Sequence, residues 1–230
     1  MIDKTKREVQ LKENLRILIE NIEEERLKYS SHQIIQLVAV SKYVSLYDIV
    51  ALYNAGQRTF GENKVQDLKL KAQSLDNLPI QWHMIGTLQE NKINQLISLK
   101  PTMLQSLDSI KLAKSIQSKL EQNNTKLNCL LQVNSSNELT KSGFSLDSAI
   151  DSYKEILEIA PNINLQGIMT IATNTDDKKI IESCFKKTKD IFDKLTPIGA
   201  KILSCGMSDD YKIAIANGAN MLRIGSRIFK

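Results

Sequence analysis

Short apolar segments recur eight times along the chain and are separated by amphipathic segments. Most of the apolar segments are continuous and do not alternate with polar residues, which is typical of strands covered on both faces in a parallel sheet. They predict strands at residues 34–40, 58–62, 80–85, 102–105, 127–133, 165–171, 202–206 and 221–224.

The amphipathic segments predict helices at residues 46–55, 64–74, 89–99, 109–122, 146–159, 177–195 and 209–217. A further helix is predicted over the first thirty residues, where Leu11, Leu15, Leu18 and Ile22 form one apolar stripe. This alternation favours an α/β fold: a single (β/α)8 barrel of the TIM type that occupies residues 1–230 and carries an additional N-terminal helix. A doubly wound parallel sheet is the alternative.

Capping residues support the predicted helix ends. Ser45 precedes the first helix of the repeat, and Asp48 lies three residues later, close to a capping box. Gly56 and Gly218 each follow a predicted helix, where the left-handed conformation is common. Ser208 is expected to begin the last helix, followed by aspartates that the positive end of a helix favours.

The composition excludes several function classes. The chain is 42% hydrophobic and 5% aromatic, and three cysteines form no CxxC pair. No apolar stretch approaches the roughly 18 residues of a membrane span, and the charged N-terminus is unlike a secretory signal. We therefore expect a reduced, cytoplasmic protein with no membrane partner, and two histidines give little basis for a metal site.

The net charge of +5 does not indicate nucleic-acid binding. The lysines are scattered among acidic residues and lack the arginine and aromatic clusters of nucleic-acid binders. The densest lysine run lies at 178–189 on one predicted helix, where it is expected to form a solvated face.

Candidate chemistry lies where strands end, because active sites of (β/α)8 barrels form at the carboxyl ends of the strands. Lys42 follows the first apolar segment, which places it at the barrel mouth. Its stem either packs on apolar walls with the ammonium in water, or its amine is partly desolvated and forms a Schiff base as a nucleophile. The position favours the second interpretation.

The loops after the last two strands carry a candidate phosphate site, which recurs there in this fold. Ser208 follows Gly206 at a predicted helix start, and Gly225 and Ser226 follow the final strand, so backbone amides from both loops could bind an anion. Ordinary capping and a tight turn are the alternative. Arg223, inside the last strand, either faces a ligand ring or pairs with a carboxylate inside the barrel.

Other residues are less informative. His83 ends the third strand, where a lone histidine is more often a hydrogen-bonded core residue than a base or ligand. His32 is expected to be exposed, and Cys205 is expected to pack as a small apolar residue. The sequence contains no Walker A, GxGxxG or GxSxG motif.

Seven ordered stretches carry a family resemblance. They are AVSK at 39–42, AGQRTFGEN at 55–63, QWHMIGTLQENK at 81–92, QVNSSNELTKSGF at 132–144, GIMTIA at 167–172, GMSDD at 206–210 and RIGSRIF at 223–229. Together they resemble the pyridoxal phosphate homeostasis protein family (the YggS family), which is similar to the N-terminal barrel domain of alanine racemase. The resemblance covers nearly the whole chain.

The resemblance implies that pyridoxal 5'-phosphate is bound as an internal aldimine of Lys42. Ser208, Gly225 and Ser226 match phosphate-binding positions, and Arg223 matches an arginine that faces the pyridine nitrogen. The full implied set of cofactor-binding residues is Lys42, Asn63, His83, Met169, Ser208, Arg223, Gly225 and Ser226.

The same resemblance implies a carrier without catalytic residues. An arginine at the pyridine nitrogen makes the ring a poorer electron sink, and racemases of this fold add a tyrosine from a second domain that this chain is expected to lack. We therefore expect a monomer that stores, buffers or delivers pyridoxal phosphate, with PLP-dependent apoenzymes as candidate partners. It would act in vitamin B6 homeostasis and, indirectly, in amino-acid balance.

Alternatives remain open at this stage. The chain could be a PLP-dependent enzyme such as a weak amino-acid racemase, or a cofactor-free lysine-dependent aldolase that acts on phosphosugars. The N-terminal helix could cover the barrel or a partner. Compared with the family, Lys230 replaces a glycine at the end of the chain, so we expect the final helix to be missing.

Overall fold

The computed structural model describes residues 4–136 and 142–230. Its strands are β1 Gln36–Val40, β2 Thr59–Glu62, β3 Gln81–Met84, β4 Met103–Leu107, β5 Leu127–Asn134, β6 Phe144–Ser145, β7 Ile163–Thr170, β8 Ile202–Ser204 and β9 Met221–Ile224. Its helices are α1 Lys4–Leu27, α2 Leu46–Asn54, α3 Val65–Ser74, α4 Ile93–Ser98, α5 Ile110–Gln122, α6 Ala149–Ile159, α7 Lys178–Leu195, α8 Tyr211–Ala216 and α9 Ser226–Phe229.

Eight of these strands form a closed parallel barrel, as predicted. Around the ring the order is β4, β3, β2, β1, β9, β8, β7 and β5, and β5 returns to pair with β4. The two-residue strand β6, which the sequence did not predict, lies alongside β5. Of the family-matching stretch QVNSSNELTKSGF at 132–144, residues 137–141 lie outside the described residues.

The helices cover the outside of the barrel. The apolar stripe predicted for the N-terminal helix is buried at Leu11, Leu15, Leu18 and Ile22, and α1 packs against α2, α8 and α9. Helix α1 therefore covers its own chain. Among the described residues, no helix is both long and apolar enough to cross a bilayer.

The expectation that the final helix is missing was wrong. Helix α9 forms one turn, in which the amides of Ile228 and Phe229 donate to the carbonyl of Gly225. The N-terminal helix supports this turn from outside, because Asn14 Nδ2 donates to the carbonyl of Ile228 at 3.0 Å. The two ends of the chain are thus joined.

Several helix ends follow the predicted caps. The Oγ of Ser45 accepts the Asp48 amide at 3.1 Å, and Gly56 and Gly218 adopt positive φ values of 106° and 82°. The sequence misplaced other boundaries. Segment 89–99 divides into a 3-10 turn, Glu90–Lys92, and the short α4.

The start of the last predicted helix was also misplaced. Ser208 does not begin α8, which starts at Tyr211 after Asp210. The Asp210 side chain instead accepts the Met207 amide at 2.5 Å and closes a turn before the helix. The polar run at 208–210 therefore forms a loop at the end of the barrel and not the first helical turn.

Candidate functional site at the barrel mouth

The barrel interior below the strand ends is filled by apolar side chains. Because side chains alternate along a strand, residues two apart share the inner face. The inner cluster consists of Val38, Met103, Leu130, Met169 and Met221. Met169 is fully buried in this cluster and lies level with Ser204 in the pairing of β7 with β8. Met169 is therefore part of the floor beneath the mouth.

Lys42 lies at the mouth, as the sequence predicted, and is exposed. It follows the buried Ser41, in a turn closed by a hydrogen bond of 3.0 Å from the Val44 amide to the Ser41 carbonyl. Tyr43, the next residue, has φ 65°, a left-handed conformation that a bulky residue rarely adopts. The tight turn holds the backbone of Lys42 at the end of β1.

A buried ion pair lies directly behind this turn. Lys71 Nζ, on α3, contacts Glu62 Oε1 at 2.8 Å and the Ser41 carbonyl oxygen at 2.7 Å. The Ser41 hydroxyl donates to the same Glu62 oxygen at 2.5 Å. We call Ser41, Glu62 and Lys71 the ion-pair cluster. It ties the end of β1 to β2 and α3 from outside the barrel.

Asn63 follows β2 and is half-buried. Its side-chain oxygen is buried and has no hydrogen-bond partner among the described residues. Gly86 fixes the neighbouring backbone, because a Cβ there would lie 2.2 Å from the Asn63 carbonyl oxygen. The absence of a side chain at Gly86 allows this close approach and sets the position of Asn63.

His83 is buried inside the barrel, where its Nδ1 lies 2.8 Å from Gln105 Nε2. Burial lowers the pKa of the imidazole from 6.5 to about 4. The other ring nitrogen, Nε2, is buried and has no hydrogen-bond partner in the described part of the chain. His83 is therefore a buried core histidine, as expected, but only its Nδ1 has a hydrogen-bond partner among the described residues.

Arg223 is buried on the inner face of β9 and donates to two neutral oxygens. Nη1 donates to Ser204 Oγ at 2.6 Å, and Nη2 donates to the Thr170 carbonyl at 2.8 Å. None of the ion pairs between described residues includes Arg223. Burial lowers its pKa. The alternative in which Arg223 pairs with a carboxylate inside the barrel is not what the structure shows.

These contacts join into one chain of side chains across the interior. Ser204 Oγ donates to Gln105 Oε1 at 2.7 Å, which connects Arg223 to His83 through Ser204 and Gln105. We call these four residues the interior relay. It crosses from β9 through β8 and β4 to β3.

The two candidate phosphate loops are brought together. Gly225 ends β9 beside β1, where an added Cβ would lie 3.1 Å from the Val40 carbonyl oxygen. Ser226 begins α9. The Arg227 guanidinium, on the same turn, donates to the backbone carbonyl of Ser208. The loop after β8 and the loop after β9 therefore meet at one side of the mouth.

Sequence analysis missed the residues that support the site. Lys71, Gln105 and Ser204 are buried polar residues outside the matching stretches, and Glu62 lies in the stretch at 55–63 but was assigned no role. A signal was present for three of them, because Glu62, Gln105 and Ser204 are polar residues within predicted apolar strands. Lys71 lies on the buried face of α3 with Val65 and Leu68, so its spacing from these apolar residues was the available signal. His32 is exposed and Cys205 is buried, as expected.

Comparisons with known proteins agree with this geometry. Residues 14–230 match the family described as alanine racemase, N-terminal domain. The pyridoxal phosphate homeostasis protein of Helicobacter pylori strain J99 is 53% identical over 213 residues, which cover 93% of this chain and 95% of that protein.

Solved structures show the same similarity. A protein of unknown function from Bifidobacterium adolescentis superposes with a TM-score of 0.93 at 29% identity, covering 100% of this chain and 98% of that one. PipY of Synechococcus elongatus PCC7942, solved with PLP bound, superposes with a TM-score of 0.82 at 28% identity. That match covers 96% of this chain and 100% of PipY.

Proposed function

This chain belongs to the pyridoxal phosphate homeostasis protein family, and from that premise we propose that it holds pyridoxal 5'-phosphate on the amine of Lys42. In this proposal the protein stores, buffers or delivers the cofactor, and so takes part in vitamin B6 homeostasis. PLP-dependent apoenzymes are the proposed recipients.

The observation that carries the proposal is the pairing of a reactive amine with a prepared polar interior at one barrel mouth. Lys42 is exposed at the strand ends, while Arg223, His83 and Asn63 are fixed on neighbouring strands or loops. His83 Nε2 and Asn63 Oδ1 are buried without partners among the described residues. Such atoms cost free energy unless a ligand satisfies them.

Each of the carried-over residues has a role that its surroundings support. Pyridoxal phosphate supplies an aldehyde that condenses reversibly with a primary amine and releases water. Lys42 provides that amine on a short turn. Gly225 and Ser226, with the Ser208 loop beside them, provide backbone amides near a helix start for the phosphate. Met169 packs in the floor below.

The proposal is that of a carrier and not of a catalyst. Arg223 is held by neutral oxygens inside the barrel, where a guanidinium keeps its proton and donates hydrogen bonds. The resemblance places this donor at the pyridine nitrogen, which would leave that nitrogen unprotonated and weaken the ring as an electron sink. A weak amino-acid racemase is the second candidate, because the family named for alanine racemase shares this barrel.

The test is a cofactor-loading experiment. Purified protein is incubated with pyridoxal phosphate, freed of excess by gel filtration, scanned in the visible range, reduced with borohydride and mapped by peptide mass. We expect a visible band and a reduced adduct on Lys42. Lys42→Arg, which keeps the charge but removes the primary amine, is expected to lose both.

Lys64→Arg is the matched control, because Lys64 is an exposed lysine just beyond the end of the neighbouring strand β2. It is expected to load like the unsubstituted chain. A colourless protein without an adduct would overturn the site and leave the aldolase alternative. Steady-state racemization by the loaded protein, lost in Lys42→Arg, would instead favour the enzyme.

A further inference from the structure

We propose that Ser204 and Gln105 are positioning residues that hold His83 as a neutral hydrogen-bond donor, with its single ring proton on Nε2 and directed to an acceptor atom of the ligand. This inference rests on the proposed function for the identity of the ligand. The state of the His83 ring itself depends only on the contacts within the barrel.

The direction of each hydrogen bond in the interior relay follows from the placement of the Gln105 amide together with donor chemistry. A guanidinium can only donate, so Ser204 Oγ accepts from Arg223 at 2.6 Å. The single proton of the Ser204 hydroxyl is then given to Gln105 Oε1 at 2.7 Å. Arg223 therefore fixes the orientation of Ser204, and Ser204 fixes the orientation of the Gln105 amide.

The nitrogen of that amide uses both of its protons. Gln105 Nε2 lies 2.8 Å from His83 Nδ1 and 3.2 Å from Met221 Sδ, and both of those atoms can accept a hydrogen bond. Because an amide nitrogen only donates, Nδ1 of His83 must accept. In a neutral imidazole the proton then lies on Nε2.

A second observation points to a ligand at the end of the relay. His83 Nε2 is buried and has no partner among the described residues, so the relay ends on a donor that the protein itself does not use. The charged group connected to this chain is Arg223, which disfavours a second cation on the ring. A ligand atom placed at Nε2 must therefore accept a hydrogen bond, and a protonated atom there would be rejected.

The tautomer can be read directly by nuclear magnetic resonance. The chain has two histidines, so a long-range proton–nitrogen correlation spectrum of the ¹⁵N-labelled protein shows two ring systems. His32→Gln assigns them, since His32 is exposed and away from the relay. For the ligand-free chain at pH 7 we expect His83 in the Nε2–H form. The Nδ1–H form, or an averaged mixture of tautomers, would overturn the proposal.

Gln105→Glu tests the role of the amide. A carboxylate can only accept, so the proton is expected to move to Nδ1, or the ring to become doubly protonated with a raised pKa. Gln36→Glu is the matched control: it places the same change on β1 at the opposite end of the barrel, where Gln36 Nε2 donates to Thr59 Oγ1. It is expected to leave the His83 spectrum unchanged. An unchanged His83 spectrum in Gln105→Glu would show that the amide does not set the tautomer.

Ligand retention tests the second half of the proposal. Gln105→Glu is expected to raise the Kd for pyridoxal phosphate roughly tenfold, the effect of one hydrogen bond to a charged or polarised acceptor, while Gln36→Glu has no effect. A changed tautomer with unchanged Kd would mean that Nε2 does not face the ligand. If the chain takes up no pyridoxal phosphate but His83 is in the Nε2–H form, the proposed function is refuted, while the proposed role of Gln105 and Ser204 in setting the tautomer is supported.

Discussion

Two buried polar groupings lie on different strands of the same barrel, and they balance charge in opposite ways. In the ion-pair cluster, the ammonium of Lys71 meets the carboxylate of Glu62 at 2.8 Å, outside the strands. In the interior relay, the guanidinium of Arg223 donates to a hydroxyl and a carbonyl oxygen, and no described carboxylate forms an ion pair with it, although the charge of Asp210 acts on it from a longer distance. The first grouping compensates its own charge, although Glu62 Oε2 has no hydrogen-bond partner among the described residues, and the second grouping contains no carboxylate.

This difference indicates that the ion-pair cluster supports the fold and that the interior relay is suited to binding a ligand. A compensated pair can stay buried whether or not a ligand is present, so the ion-pair cluster can hold the Lys42 turn permanently. A buried cation without a contacting carboxylate and an unused donor cost free energy that the rest of the fold must offset. Such groups are expected where a ligand completes them, and in this barrel they line the inner face.

The largest expected effect comes from breaking the ion pair. Lys71→Met leaves the Glu62 carboxylate buried without a counter-charge, which is expected to lower the free energy of unfolding by about 3–5 kcal/mol. Denaturant unfolding of the ligand-free chain measures this. The double variant Glu62→Gln with Lys71→Met leaves no charge behind and is expected to recover most of the loss.

An exposed pair serves as the control for that experiment. Arg16 and Glu13 form an ion pair on the solvent face of α1, and Arg16→Gln is expected to have no measurable effect on unfolding. If the double variant proved as unstable as Lys71→Met alone, the buried charge would not be the cause of the loss.

A smaller effect is expected from acid. Because the His83 pKa falls from 6.5 in the unfolded chain to about 4 in the fold, the unfolded chain binds the extra proton between these values. Stability is therefore fully present above pH 6.5 and decreases as pH falls toward 4, by about 3 kcal/mol from this group. The difference between unsubstituted protein and His83→Gln, followed by unfolding across this range, isolates the contribution. A constant difference would contradict the buried neutral ring.

The smallest expected change in stability is at Arg223. Arg223→Met removes the buried cation and leaves only neutral partners without a donor, so a cost of about 1–2 kcal/mol is expected. Retention of pyridoxal phosphate, measured by absorbance after gel filtration, is expected to fall much more than stability does. A loss of stability larger than that of Lys71→Met would place Arg223 with the supporting groups and reverse the comparison.

The barrel itself could be predicted because its strands are continuous apolar segments. Residues 221–224 match β9 without error, since a polar residue and a glycine bound the apolar run. Strand β4 was predicted to end at Gln105 but continues through Ser106 to Leu107. Inside a barrel, polar residues can continue a strand when they hydrogen-bond to each other.

The positions of the candidate site residues could be predicted where the end of a strand decides them. Lys42 and Arg223 follow from the strand ends and the matching stretches of sequence. The supporting contacts were not predictable, because they join residues far apart along the chain: Gln105 meets Ser204, and Ser41 meets Lys71. A single sequence does not indicate which distant residues are in contact. Ser208 is a different case: its local pattern favours a helix start, but the Asp210 side chain accepts the Met207 amide and forms a turn there instead.

The pairing of β1 with β9 has a consequence for how the protein is made. Gln36 lies opposite Met221, so β1 lacks its neighbour on that side until β9 has been synthesised. Lys42 and Arg223 lie on the two sides of this seam. A nascent chain therefore carries Lys42 before β9, with Arg223, is available to pair beside it.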